Sequence, residues 1–148
     1  MKHIYLNLKR FDIPKEAGGV NSIAPADQWG SYIIEHTKDA LKEYGEDEAE
    51  FIMYLPEAHL LSAAGALKGS SRIIIGSQGI HREDVSTGGN FGAFTTNRTG
   101  KAVRALGCGS TLIGHCEERK DKAGILAEAG VTDTDAVNRI LNQEIKAA

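Results

Sequence analysis

Arg72-Ile73-Ile74-Ile75-Gly76 is an unbroken apolar run closed by a glycine. A strand that is apolar throughout, with no polar alternation, fits a parallel sheet whose face is covered by helices. Upstream of it, Glu57 to Lys68 is rich in alanine and leucine and reads as a helix stopped by Gly69. Before that, Glu50-Phe51-Ile52-Met53-Tyr54-Leu55 reads as another strand, ended by Pro56. Upstream again, a helix is expected from Ala26 to Tyr44, with Trp29, Ile33, Ala40 and Leu41 at helical spacing and Gly45 as its stop. Residues 10–25, containing Pro14, Gly18, Gly19 and Asn21, read as loop. His3 to Leu8 opens the chain as a strand with Ile4, Leu6 and Leu8 on one face.

Downstream, a long glycine-containing loop runs from Ser77 to about Asn97, followed by a short helix near Thr99–Leu106. Ser110-Thr111-Leu112-Ile113-Gly114 reads as a fourth strand ending at His115. Two helices complete the chain, Arg119–Ala129 and Thr132–Ala147, the second with Val137, Ile140, Leu141 and Ile145 as an apolar stripe. The order is βαβαβαβα, which implies parallel strands joined by right-handed crossovers. That order alone leaves a doubly wound sheet and part of a closed barrel both open. Because Asn7-Leu8-Lys9-Arg10 follows the first strand where a dinucleotide fold carries glycines, that fold loses ground. Tyr5, Trp29 and Phe51 are expected to pack in the core or at its margin.

Composition narrows the function. With 41% hydrophobic and 25% charged residues, the chain reads as a soluble globular domain. A net charge of −3, with scattered Lys and Arg, argues against nucleic-acid binding while leaving small anionic substrates open. The amino terminus lacks the apolar core of a signal peptide and no stretch is long enough to span a membrane, so a cytoplasmic location is expected. Cys108 and Cys116 leave room for one bridge, reduced thiols being the plainer reading. The two cysteines and five histidines show no paired spacing, so no metal site is expected, and no cofactor.

In parallel α/β folds, polar residues at the carboxyl ends of strands converge on one face. Asn7 and Lys9 follow the first strand, Gln78 the third, and His115 with Glu117 the fourth. Lys9, two residues after Asn7, is expected on the same side, where its charge suits an anionic substrate or a developing oxyanion. Taken singly, Lys9 also reads as a solvated edge charge, His115 as a structural histidine, and Glu117 as an acid favoured at a helix amino terminus.

Several segments, in order, bring a family into view. Asn7-Leu8-Lys9 matches the first-strand Asn-x-Lys of triose-phosphate isomerases. Gly76-Ser77-Gln78, then Glu83-Asp84 and Gly92-Ala93-Phe94-Thr95, resemble the family's third-strand end and the long loop after it. Leu112-Ile113-Gly114-His115-Cys116-Glu117-Glu118-Arg119 resembles its fourth-strand signature. The resemblance implies an α/β fold, half of a TIM (β/α)8 barrel, residues 1–148 forming the amino-terminal four units as a single half-barrel. It assigns catalysis to His115 and Lys9: His115 as the neutral electrophile, Lys9 as the cation holding the phosphorylated substrate and the enediolate. Asn7 joins Lys9 in binding substrate, with Glu117 and Gln78 in support.

The sequence also departs from the family. Val85 to Phe91 enlarge the third loop, Thr96-Asn97 replaces Gly-Glu, and Glu118 stands where the family has arginine, so a pairing of Arg98 with Glu118 in reversed polarity is expected. A tetrulose phosphate is therefore a competing substrate. Strands five to eight, which in the family carry the catalytic base, the mobile lid and the phosphate-gripping amides, are not in this chain. The expected partners are accordingly a phosphorylated small molecule and a complementary carboxyl-terminal half-barrel, with the isolated half inactive. A catalytically silent half-barrel assembly module is the other reading. On the family pattern the loop 79–97 is also a dimer contact, with Phe91, Phe94 and Thr95 at the interface.

Overall fold

The apolar runs become strands. The computed structural model describes residues 1–68, 72–89 and 92–148, and the chain divides into two compact units, Met1–Gln78 with Arg104–Thr111, and Gly79–Val103 with Leu112–Ala148. Among the described residues no helix is long and apolar enough to cross a membrane.

The first unit holds a four-stranded parallel sheet: β1 (Lys2–Asn7), β2 (Ala49–Leu55), β3 (Ile73–Ser77) and β4 (Ser110–Thr111), in the order 1-2-3-4. Helices α1 (Trp29–Leu41) and α2 (Leu60–Ala66), the latter entered through a 3-10 turn at Glu57–His59, pack on each other, and α2 packs against β3. Trp29, Ile34, Leu55, Leu60 and Ile75 are each at most 2% exposed, and burying such a side chain contributes roughly 1.5–3 kcal/mol. The buried residues of α1 are Trp29, Gly30 and Ile34, with Ile33 half-buried, and the helix starts later than its spacing suggests, after a turn in which Gln28 N–H bonds Pro25 O.

Strand β1 differs from its neighbours. Among the described residues it pairs with β2 alone, and Ile4 and Leu6 are each 44% exposed and Tyr5 61%. The expectation of a packed Tyr5 is therefore corrected: its ring stacks on Tyr54 at 6.4 Å and on His3 at 6.4 Å but is otherwise open. Trp29 and Phe51 are buried as expected. The fourth strand is shorter than its apolar run, since its partner β3 ends at Ser77 and the ladder ends with it, at Ser77 beside Thr111. Ser77 Oγ donates to Thr111 Oγ1 at 2.9 Å there.

The loop after β1 is tied down by a buried carboxylate. Asp12 receives Arg10 Nη2 at 2.8 Å, lies 3.0 Å from His59 Nε2, and accepts Asn21 Nδ2 on its backbone oxygen at 3.1 Å. Asp12 and His59 are both buried, and the Trp29 ring lies 5.0 Å from the imidazole. Asp12 Oδ1 is buried without a hydrogen-bond partner.

The second unit carries most of α3 (Gly100–Ala105), then α4 (Cys116–Glu128) and α5 (Ala136–Ala147), which pack together. Helix α5 begins four residues later than its stripe suggests. Asp133 Oδ1 instead accepts the Asp135 N–H at 2.8 Å, and such a local turn competes with helix. Leu141 is buried, whereas Ile145 is exposed and Glu144 occupies the buried position before it.

Candidate functional site

Asn7, Lys9 and Gln78 come together at the carboxyl ends of β1, β2 and β3. Asn7 and Tyr54 are register partners, as are Tyr54 and Gly76, so the ends of the three strands lie level. Gln78, just past β3, donates from Nε2 to Asn7 Oδ1 at 3.1 Å, to Lys9 O at 2.9 Å and to Tyr54 O at 3.2 Å. Asn7 Oδ1 also accepts the Lys9 N–H at 2.9 Å.

The alternation argument for Lys9 is replaced by a turn. Lys9 lies beyond β1 with φ at 45°, in the left-handed region that residues with a Cβ rarely adopt. Asn7 and Gln78 hold its N–H and its C=O, so a strained residue is fixed from both sides, as is common where a side chain must be aimed at a ligand. Lys9 is exposed, and Asn7 and Gln78 are half-buried.

From the sequence Tyr54 is read only as part of a strand, yet its carbonyl accepts from both Gln78 and Leu8 N–H, and its hydroxyl meets Ser110 Oγ at 3.1 Å. The ring lies across Gly76, where a Cβ would come within 2.5 Å of Tyr54 Cδ1. Its only sequence signal is a polar hydroxyl near the carboxyl end of an apolar strand.

His115 and Glu117 come together in the second unit. His115 caps the amino terminus of α4 in extended conformation, and Glu117 lies in the first turn, where negative charge is favoured. His115 Nδ1 is 3.1 Å from Glu117 Oε2. A carboxylate only accepts, so with Glu117 ionised this bond has its proton on Nδ1. Cys116 is exposed and donates Sγ–H to the same Glu117 oxygen at 3.0 Å. Cys108 and Cys116 are free thiols, and burial pushes the Cys108 thiol up to about 11. Among the described residues no group of three or more His, Cys, Asp and Glu side chains is placed to hold a metal ion.

Glu118 finds a partner one helical turn away. Its Oε1 lies 2.7 Å from Lys122 Nζ, and its Oε2 accepts the Gly114 N–H at 2.5 Å. The expected Arg98 is also close, since a Cβ on Gly79 would meet Arg98 Nη2 at 3.7 Å and Glu118 Oε1 at 4.0 Å. Lys122 reaches Glu144 Oε1 as well, at 2.8 Å. Burial raises the Glu118 carboxyl, but its bonds from Lys122 and Gly114, with Glu144 close by, outweigh that and leave it below the usual range. Burial, with the neighbouring Glu118, holds Glu144 above that range despite Lys122. The spacing of Glu118 and Lys122 was legible as an i, i+4 pair; Glu144 was not.

In the loop 79–97, Asp84 Oδ2 accepts the Lys101 N–H at 2.9 Å and Lys101 Nζ donates to Val85 O at 2.5 Å. Phe94 is half-buried with its ring 5.2 Å from that of His81, and Thr95 is exposed. Phe91 lies outside the described residues.

Comparison with known proteins bears on the family and the fold. The sequence matches the family model described as triosephosphate isomerase over residues 28–146. No curated protein matches it. Among solved structures, the triosephosphate isomerase of Bartonella henselae is similar with a TM-score of 0.62 at 20% identity, over 99% of this chain and 46% of that one. At that identity the likeness shows the fold: four parallel βα units equivalent to half of a TIM (β/α)8 barrel, in a chain less than half as long as that structure's. Since the family model spans most of the sequence, this chain belongs to the triosephosphate isomerase family.

Proposed function

We propose that this chain is the amino-terminal half of a triose-phosphate isomerase, interconverting dihydroxyacetone phosphate and glyceraldehyde 3-phosphate once a carboxyl-terminal half-barrel complements it. The observation that carries the reading is the Asn7–Lys9–Gln78 arrangement, a lysine braced in a strained turn at the strand ends of a family member. In this reading Lys9 binds the phosphorylated substrate and offsets charge on the enediolate, with Asn7 beside it. His115 polarises the carbonyl, and Glu117 orients the histidine ring through Nδ1. For a neutral His115 to donate from Nε2, Glu117 has to release Nδ1 or bring the proton itself. The base that abstracts the substrate proton belongs to the complementing half.

The open edge of β1 and the exposed Ile4, Tyr5 and Leu6 support complementation, because an unpaired edge strand with apolar faces is a ready template for further strands. The loop 79–97 is read as a contact between two copies of the completed enzyme, with Phe91, Phe94 and Thr95 at that contact; light scattering of the complex checks it.

A coupled assay on the chain mixed with a complementing half tests the activity, and absence of turnover from a correctly folded complex overturns it. Triose and tetrose phosphates compared in that assay decide the substrate. Lys9→Ala is expected to lower kcat by about 10²–10³, as the loss of an oxyanion donor does; near-full activity refutes the role of Lys9.

A further inference from the structure

The turn that presents His115 is gripped on both of its polar atoms. Gly114, with φ at 77°, directly precedes the histidine. Its N–H is donated to Glu118 Oε2 at 2.5 Å, and its C=O accepts Arg119 Nε at 2.7 Å. Two consecutive residues of α4 therefore hold the peptide units on either side of Gly114, and hydrogen bonds to charged groups are the stronger kind.

Each of those two side chains is held in turn by α5. Glu118 shares Lys122 with Glu144, at 2.7 and 2.8 Å. Arg119 donates from Nη1 to Asn138 Oδ1 at 3.0 Å. Helix α5 also reaches the turn directly, since a Cβ on Gly114 would lie 3.4 Å from Leu141 Cδ1, and Leu141 is buried. The Glu118, Lys122 and Glu144 side chains are only 12%, 19% and 5% exposed, and Glu144 Oε2 has no hydrogen-bond partner. A buried carboxylate with one oxygen unpaired is costly, and the ion pair of its other oxygen with Lys122 offsets part of that cost.

We propose that Glu118 and Arg119 are positioning residues for His115, and that α5, through Glu144–Lys122 and Asn138, sets the orientation of the histidine. The proposal rests on reading His115 as the group that polarises the substrate carbonyl, but the brace itself is a property of this chain. Loosening α5 re-aims the imidazole without touching any residue that meets substrate.

The test uses the full chain, so it does not depend on turnover. Amide exchange at Gly114 and the ¹⁵N resonances of the His115 ring are recorded for wild type and for Asn138→Ala, Glu144→Gln and the double variant. Each single change is expected to speed Gly114 exchange about tenfold, and the double variant more, with the His115 ring resonances shifting and exchange in β2 unchanged. Unaltered Gly114 exchange and ring resonances in a double variant that keeps its helix content overturn the proposal. Should the double variant unfold the second unit, Arg119→Lys, which keeps the charge but loses the forked donor, carries the test; an unmoved Gly114 there overturns it equally. Isomerase kinetics of the complemented variants then separate the two readings. Moved resonances without turnover in wild type refute the function alone, whereas intact resonances with full turnover refute the brace alone.

Discussion

Gln78→Leu probes the hold on Lys9 most directly. The amide nitrogen has two hydrogens and three oxygens within 2.9–3.2 Å, so one hydrogen is shared. Leucine keeps the bulk and removes both donors. Two net hydrogen bonds at about 1 kcal/mol each set the loss near 2 kcal/mol. Two of the three acceptors are not stranded, since Tyr54 O still receives the Leu8 N–H at 3.0 Å and Asn7 Oδ1 the Lys9 N–H at 2.9 Å, and the third, Lys9 O, belongs to an exposed residue. About 2 kcal/mol is therefore an upper value. The larger consequence lies in the turn, since a positive φ costs a residue with a Cβ about 1–2 kcal/mol and Lys9 loses its carbonyl anchor. Substrate binding in the complemented enzyme should then weaken more than stability does. Gln78→Glu sets a carboxylate against three acceptor oxygens, so at neutral pH it is expected to be worse than leucine and to recover on acidification. Urea transitions of the three proteins supply the comparison. A leucine variant within about 0.5 kcal/mol of wild type, or a glutamate variant more stable than it, refutes the clamp.

Other residues make further expectations. Gly76→Ala drives a Cβ into the Tyr54 ring and should destabilise by about 1–3 kcal/mol in denaturant titration, an effect that Tyr54→Ala partly suppresses. Asp12→Ala leaves the buried His59 without its acceptor and should cost about 1–3 kcal/mol, seen as a lower urea midpoint. For pH, Glu144 binds its proton more tightly folded than unfolded, so its contribution is complete below the ordinary value of 4.5 and declines as pH rises through its raised folded value. Glu118 is the reverse, stabilising above 4.5 and losing that as pH falls through its lowered folded value. Glu144→Gln should thus gain on wild type as pH is raised from 4.5, and parallel stability–pH curves exclude this.

The order of strands and helices was legible because each buried strand is a solid apolar run. Ile73 to Ile75 and Phe51 to Leu55 admit few other readings. Helix starts were less so: α1 and α5 follow a backbone turn at Pro25 and a side-chain turn at Asp133, which periodicity does not register. Tyr5 was misjudged because burial of an edge strand depends on what lies beyond the edge. At the site, Asn7, Lys9 and Gln78 were found from their places at strand ends, though the left-handed turn at Lys9 was not. Asp12 with His59, and Glu118 with Glu144, stand 47 and 26 residues apart, and no local pattern links such pairs. Only the fold brings them together.

Trp29 gives the molecule an optical label. It is the chain's one tryptophan, it is 2% exposed, and it belongs to the first unit. Its emission should be blue-shifted in the native state and move to the red only when the packing around His59 opens. Helices α4 and α5 contribute to far-ultraviolet ellipticity but carry no indole. Fluorescence therefore follows one unit while ellipticity follows both, and in a two-state transition the two signals must coincide. Any gap between them along a denaturant axis measures how independently the second unit melts.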